Sequence, residues 1–332
     1  MTLKVSIIIP VYSTPVLYLQ QAIKSIKHQT YELNKLEVCI HDDGSNKDYK
    51  NAYKDWIEKI EKMQLDFDIK ISYGEKNNGP SYAKNRAASL CDGDLMIILD
   101  SDDILHKDAV RMCVNAFENN NKIELVYSDN IKFRYPSLEL FQFRKKSYYQ
   151  SYVKKHKGTV FDPVIQSSFV VGLQAFRRET FEYLGGFDTT LDVGEDVEFI
   201  TRIHRLDEKN NFHHIPKVLY FRRHDDKSLS RRKQKEMWKK TERVFFNTAI
   251  SMGLEVTDVR YFDRIAPYFV SHYLLMNEAN ILIPPYLDLT RKILIGCKDT
   301  VHTLRFEGTN IINNDLRPIL DTKNERWYSN GK

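Results

Sequence analysis

Residues Leu95-Met96-Ile97-Ile98-Leu99-Asp100-Ser101-Asp102-Asp103 end an apolar run in three carboxylates within four positions. Carboxylates this close raise one another's pKa unless a cation sits among them. Hard oxygen donors suit magnesium or manganese better than zinc. The chemistry on offer is retention of a divalent ion and, through it, of phosphates. A second reading needs no ligand: Asp is a common helix N-cap, and a helix would then run from Ile104 to Phe117.

The elements that must position these acids are legible upstream. Val5-Ser6-Ile7-Ile8-Ile9 is a β-branched run without alternating polarity, as expected of a central parallel strand covered on both faces. It ends at Pro10-Val11-Tyr12-Ser13. Thr14-Pro15 then opens a helix whose Val16, Leu19, Ala22, Ile23 and Ile26 form one apolar stripe. A second strand, Leu36 to Ile40, also runs into acid, at Asp42-Asp43-Gly44-Ser45. A helix follows, with Tyr49, Ala52, Tyr53, Trp56, Ile57 and Ile60 facing inward. Phe67 to Tyr73 predicts a third strand, Ser81 to Leu90 a short helix and Leu95 to Leu99 a fourth strand. The order is repeated β-α-β: an α/β fold with a mostly parallel sheet flanked by helices.

In an open parallel sheet the ligand crevice lies beyond the carboxyl ends of the strands. Tyr12, the Asp42/Asp43 pair and the Asp100/Asp102/Asp103 cluster should therefore converge on one side. No Gly-rich dinucleotide fingerprint follows the first strand, and no Gly-Lys-Ser/Thr phosphate loop occurs. Both absences disfavour Rossmann oxidoreductases and P-loop enzymes.

Several motifs in fixed order carry a resemblance. Pro10-Val11-Tyr12-Ser13, Asp42-Asp43-Gly44-Ser45, Asn78-Gly79-Pro80 through Ala83-Lys84-Asn85-Arg86-Ala87, Asp100-Ser101-Asp102-Asp103, Gly185-Gly186-Phe187-Asp188 and Gly194-Glu195-Asp196 together resemble family 2 glycosyltransferases of GT-A fold, of the bacterial cell-surface polysaccharide type. The resemblance spans roughly residues 3 to 230. It implies an inverting transferase that takes a sugar from a nucleotide diphosphate. One departure is Lys84, where the family more often has Arg, which replaces a bidentate contact by a point charge.

The resemblance also implies roles. Pro10 and Tyr12 would lie against the nucleobase, and Asp43 would accept from its imide N–H, which favours UDP. Lys84 would approach the base or diphosphate, unless it is a solvated helix face. Asp100 and Ser101 would lie at the ribose, and Asp102 would hold Mn2+ or Mg2+ between the phosphates. His224 would complete the metal shell, with Arg222 facing the diphosphate. The Glu195-Asp196 pair would supply catalysis, with Asp196 as general base on the acceptor side. The same pair also reads as a helix N-terminus, where acids are favoured. Glu195 would raise the pKa of Asp196 and the helix dipole would lower it. The tandem His213-His214 has no partner pattern and reads as structural.

Composition bounds the picture. The chain has 332 residues, 42% hydrophobic, and a mean hydropathy of −0.49, with no apolar stretch long enough to span a bilayer. Four cysteines without paired spacing, and a first strand close to Met1, lead us to expect a reduced cytoplasmic setting, with peripheral contact on the inner face of the membrane as an option. A net charge of +5 would permit nucleic-acid binding, but Asp225, Asp226 and Glu236 interrupt the basic run from Arg222 to Lys240. No nucleic-acid partner is expected.

The predicted division is a catalytic domain over 1–230 and a mainly helical region over 231–332 for acceptor, membrane or oligomer contacts. That region includes a basic amphipathic helix around Trp238 and helices over Phe269 to Ile283 and Leu287 to Ile295. The function expected is transfer of a hexose or N-acetylhexosamine from a UDP-sugar to a hydroxyl of a cell-surface glycan or lipid-linked saccharide. Two alternatives are a sugar-nucleotide-forming nucleotidyltransferase and a silent sugar-nucleotide-binding protein. The first would need a Gly-rich, Arg-containing first loop and would lack the Glu195-Asp196 base. The second would have lost acids that are all present here.

Overall fold

The computed structural model describes residues 2–62, 65–143, 170, 172–191, 194–204, 206, 212–224, 256–261, 271–275 and 311–320. In chain order these form β1 (Val5–Val11), α1 (Val16–Lys27), β2 (Leu36–Asp42), α2 (Lys47–Glu61), β3 (Asp68–Tyr73), α3 (Pro80–Ala88), β4 (Leu95–Ile98), β5 (Ile104–Leu105), α4 (Ala109–Asn119), β6 (Leu125–Arg134) and β7 (Glu139–Phe143). Then come β8 (Gln174–Arg177), α5 (Arg178–Tyr183), α6 (Glu195–His204), β9 (Phe212–Arg223), β10 (Val256–Tyr261), β11 (Ser271–Leu275), a π-helical turn (Ile311–Leu316) and α7 (Arg317–Leu320).

The main sheet runs β3-β2-β1-β4-β8-β6-β9-β5, with β7 on β6. β1, β2, β3 and β4 are mutually parallel, β8 is antiparallel to β4 and β6, and β6 is parallel to β9. Burial on both faces explains the unbroken apolar strands. In β1, Val5, Ile7, Ile9 and Val11 pack with α1, α2 and α4, while Ile8 joins Met96, Ile98 and the residues of α3 and α6.

Alternation along β2 has a consequence for the site. Leu36, Val38 and Ile40 enter the first core, so Glu37, Cys39, His41 and Asp43 form a polar row on the opposite face, toward α3.

Two local expectations are corrected and one is refined. Ile104 begins a two-residue strand rather than a helix; α4 starts only at Ala109, because Ile104 and Leu105 pair with Phe221 and Tyr220 of β9. The helix expected to open at Thr14-Pro15 begins at Val16 with Pro15 at the N-cap, and the Thr14 hydroxyl bonds the Ser101 hydroxyl at 2.7 Å. Within the helix expected over Phe269 to Ile283, Ser271–Leu275 is a strand paired antiparallel with Val256–Tyr261, a long-range pairing that helical periodicity does not report. The helices expected around Trp238 and over Leu287 to Ile295 lie outside the described residues. Among the described residues no helix is long and apolar enough to cross a membrane.

Candidate active site

The polar residues gather at the carboxyl ends of β1, β2 and β4. At the tip of β1, Tyr12 is 52% exposed and Ser13 adopts φ +50°, a left-handed conformation pinned by its N–H on Ser45 Oγ at 2.7 Å. At the tip of β2, Asp42 Oδ1 accepts from the Ser45 N–H. Gly44 turns the chain at φ +77°, where a Cβ would lie 2.3 Å from the Lys76 carbonyl carbon. Asp43 Oδ2 accepts from the N–H groups of Asn78 (2.9 Å) and Gly79 (2.8 Å), the N-cap of α3. Asp43 Oδ1 is buried with no hydrogen-bond partner, as is His41 Nε2, 3.9 Å away.

α3 ties the two sides of the site together. Its Lys84 Nζ is buried, 2.6 Å from Glu195 Oε1 of α6 and 5.2 Å from the Phe187 ring centroid. Burial would lower the pKa of Lys84, yet the charges of Glu195, Asp100 and Asp196 carry it above its ordinary value. Asn85 holds the Gly-Gly-Phe loop by a reciprocal pair. Its Nδ2 donates to the Phe187 carbonyl and its Oδ1 accepts from the Phe187 N–H, both at 2.8 Å. Gly186 lies at φ +75°, and a Cβ there would meet Asn85 Oδ1 at 2.7 Å. Arg202 of α6 donates to the carbonyls of Leu184 and Gly186, and Ser81 Oγ to that of Leu191.

Asp196 opens α6 and accepts from the Val197 N–H at 2.8 Å. Burial, then the charge of Glu195, raises its pKa; Lys84 and the helix amide oppose this and lose.

At the end of β4 the acids lack counter-charge. Asp102 is pushed up to about 6 by burial and by Asp100, with Arg223 and Arg222 opposing. Asp103 is raised well above the ordinary carboxylate range by burial and by Asp102 and Asp100. Its Oδ1 accepts from the Arg223 N–H at 2.6 Å. Asp103 therefore fastens the loop to β9 and caps no helix. Among the described residues Asp100, Asp102, Asp103 and His224 do not bring three ligand atoms within 4.8 Å of one another; what suits a divalent cation here is the uncompensated charge of the acids. His224 follows β9, its N–H on the Phe133 carbonyl at 2.8 Å.

Sequence reasoning missed Arg223 and Tyr220. The Arg223 guanidinium donates to the Asp102 carbonyl (2.7 Å) and to Gln21 Oε1 (2.7 Å), and lies 4.0 Å from the Tyr18 ring centroid. The Asp100 N–H donates to Tyr220 Oη at 3.1 Å. His214 is engaged away from these acids, with Nε2 2.9 Å from Asp129 Oδ1 and its ring against Tyr127. A shallow hollow of about 670 Å3 lined by Arg111, Asn119, His213 and Lys217 contains none of the candidate site residues.

The architecture is the GT-A fold. It is similar to that of Staphylococcus aureus TarS 1–349 in complex with UDP-GlcNAc (TM-score 0.55, 16% identity, 74% of this chain and 66% of that one). It is also similar to a Pyrobaculum calidifontis mannosyltransferase in complex with GDP-Man and Mn2+ (TM-score 0.54, 21% identity, 76% and 65%). The sequence profile of Glycosyl transferase family 2 matches residues 6–185, and the chain belongs to that family. The chondroitin synthase of Escherichia coli is 34% identical over 126 residues, 38% of this chain and 17% of that protein. That of Pasteurella multocida is 28% identical over 218 residues, 66% and 20%. The chain thus spans about a fifth of the length of these relatives.

Proposed function

We propose that the protein moves a hexose or N-acetylhexosamine from a UDP-sugar to a hydroxyl of a cell-surface glycan or lipid-linked saccharide, with inversion, assisted by Mn2+ or Mg2+. The observation that carries this reading is the set of acids around Lys84. Lys84 of α3 lies 2.6 Å from Glu195 of α6 while Asp43 holds the N-cap of the same α3, so the Asp43 side and the Asp196 side border one space, and the charges of Asp100 and Asp196 bear on the same ammonium. A single cleft with acids on both walls is what in-line displacement at an anomeric carbon requires.

On the donor side, Pro10 and the exposed Tyr12 ring offer a surface for a base. Asp43 keeps Oδ1 for an imide N–H. Asp100 and Ser101 face the ribose, Asp102 and His224 would hold the ion, and Arg222 would face the diphosphate. When bound, the ion offsets the negative charge that grows on the leaving diphosphate. On the acceptor side, Asp196 takes the hydroxyl proton as the new bond forms, and its raised pKa makes it a stronger base than an ordinary carboxylate. Glu195 is held by Lys84 and steadies the start of α6. The solved structure bound to UDP-GlcNAc supports a UDP-sugar, and the relatives named chondroitin synthase support a glycan acceptor.

The test is turnover of UDP-glucose, UDP-galactose, UDP-GlcNAc, UDP-GalNAc and GDP-mannose, with Mn2+ and after chelation. We expect hydrolysis or transfer from at least one UDP-sugar, abolished by chelation. Preference for GDP-mannose would overturn the uridine assignment, and indifference to every nucleotide-sugar would overturn the function.

A further inference from the structure

The wall made by β5, β6 and β9 depends on a piece of chain from far downstream. Ile104 stands one residue after Asp103, and Phe221 one residue before Arg222. Their side chains, with those of Ile131 and Phe133, are fully buried in one cluster, and Leu316, Ile319 and Leu320 complete it. β5 is the outermost strand of the sheet order and has two residues, paired only at Phe221 and Tyr220. So short an edge strand is held mainly by side-chain packing.

A polar contact fixes the same joint. His106 Nδ1 accepts from the Asp108 N–H at 3.0 Å, and its Nε2 lies 3.2 Å from Asp315 Oδ1. Lys107 Nζ lies 3.7 Å from the same oxygen. The His106 main chain is itself anchored, its N–H on the Leu219 carbonyl and its carbonyl accepting from Gln29 Nε2. Asp315 therefore grips a residue three positions beyond Asp103, on the path that sets where the Asp100–Asp103 loop leaves the sheet.

We infer that segment 311–320 is a strap that completes the catalytic unit, and that Asp315 is a positioning residue for the diphosphate and metal end of the cleft. This rests on the proposed nucleotide-sugar reading. The base end, built on β1 and β2, contributes no residue to this cluster and meets the strap through α1, so it should respond less than the diphosphate end when the strap is weakened. At the diphosphate end, a shift of Ile104 and Phe221 moves Asp102 and Arg222 together. At the base end, Tyr12 and Asp43 stay on their own strands.

The experiment compares Asp315→Ala, Leu316→Ala and the His106→Ala/Asp315→Ala pair with wild type in the full chain. Calorimetry reads UDP affinity with and without Mn2+. Hydrogen exchange reads residues 100–106 and 219–224 against residues 38–45 without any ligand. We expect the Mn2+ enhancement of UDP affinity to fall about tenfold in the single variants, with metal-free affinity within about twofold of wild type. Exchange should rise in 100–106 and 219–224 and not in 38–45. The double variant should lose more of the Mn2+ enhancement than Asp315→Ala, because the His106 ring also packs against Phe221. An equal loss of metal-free and Mn2+-supported affinity would mean global damage and overturn the proposal, as would an unchanged Mn2+ enhancement. Failure of wild type to bind UDP would sink the nucleotide-sugar reading instead, and unchanged local exchange in the variants would then sink the strap independently.

Discussion

Glu37 and Asp43 stand at the two ends of the same row on β2, and they are treated in opposite ways. Glu37, at the amino end, is buried and saturated: Oε1 accepts from Ser6 Oγ (2.5 Å) and from the N–H groups of Asp92 (2.7 Å) and Gly93 (3.1 Å). Its Oε2 meets Lys70 (2.8 Å) and Lys4 (3.0 Å). Burial alone would raise its pKa, yet Lys70, Ser6 and the Asp92 amide hold it well below the usual carboxylate range. Cys39 and Cys91 bring sulfurs within 4.8 Å of this carboxylate, but Glu37 already meets five donors and has little to offer a metal. At the carboxyl end, Asp43 keeps a buried oxygen without a partner, and the acids of the neighbouring loops are pushed toward the neutral form. The difference teaches that Glu37, which serves the fold, is fully neutralised here, whereas Asp102 and Asp196 beside the cleft are left short of positive charge. Such a deficit is the electrostatic mark of a site awaiting a cationic or proton-donating ligand.

The largest effect should come from removing an acid at the deficient end. Asp196→Asn keeps the oxygen that accepts from Val197 but removes the base. We expect kcat to fall by about 10²–10⁴, with UDP affinity unchanged by calorimetry. Because the native carboxylate is held against its preference, the melting temperature should hold or rise. Near-normal turnover in this variant would assign the base to another carboxylate.

Next comes the saturated end. Glu37→Ala leaves Ser6 Oγ and the Asp92 amide without their acceptor and takes from Lys4 and Lys70 the buried one of their two carboxylate partners, Asp92 remaining. The expected cost is about 3 kcal/mol of stability, read by denaturant titration, with kcat per folded molecule within about twofold of wild type. A large loss of kcat at full stability would show that the row does not divide as described.

The division between fold and site was only partly legible in the sequence. Val5–Ile9 and Leu95–Leu99 declare buried parallel strands because both faces are apolar, and the stripe Tyr53, Trp56, Ile57 and Ile60 declares a helix by its period. The acids after each strand could be located by order alone. What could not be read was which acid finds which cation. Lys84 and Glu195 meet across 111 positions, and Asn85 reaches Phe187 across 102. Arg222 and Arg223 are adjacent, and counting alternation along β9 does not tell which is buried, because its pairing with β6 shifts at Ser128/Asp129 and again at Asp129/Asn130. The packing of 316, 319 and 320 against β5 and β9 leaves no local trace at either partner.

The smallest effect, and the one that sharpens the comparison most, is the pH dependence of stability. Glu37 has a folded-state pKa below its unfolded value, so its contribution is complete above about pH 4.5 and is lost as pH falls toward the lowered value. Asp196 has a folded-state pKa above its unfolded value. Its penalty is present in full above the raised pKa and is relieved as pH falls through that value toward the unfolded one. Asp102, pushed up to about 6, and Asp103 shift in the same direction, so wild-type protein should gain stability on mild acidification from neutrality as the three acids protonate, and lose it steeply below about pH 4. Melting curves across this range check the sign, and the two variants separate the terms. Asp196→Asn should reduce the gain, leaving the part that Asp102 and Asp103 supply, without touching the acid collapse, while Glu37→Ala should soften the collapse and keep the gain. The acid limb of kcat/KM should likewise lie above that of an ordinary carboxylate, because only ionised Asp196 accepts a proton. If both variants moved the same limb of the stability curve, the two ends of the row would be one electrostatic system, and the deficit beside the cleft would carry no functional meaning.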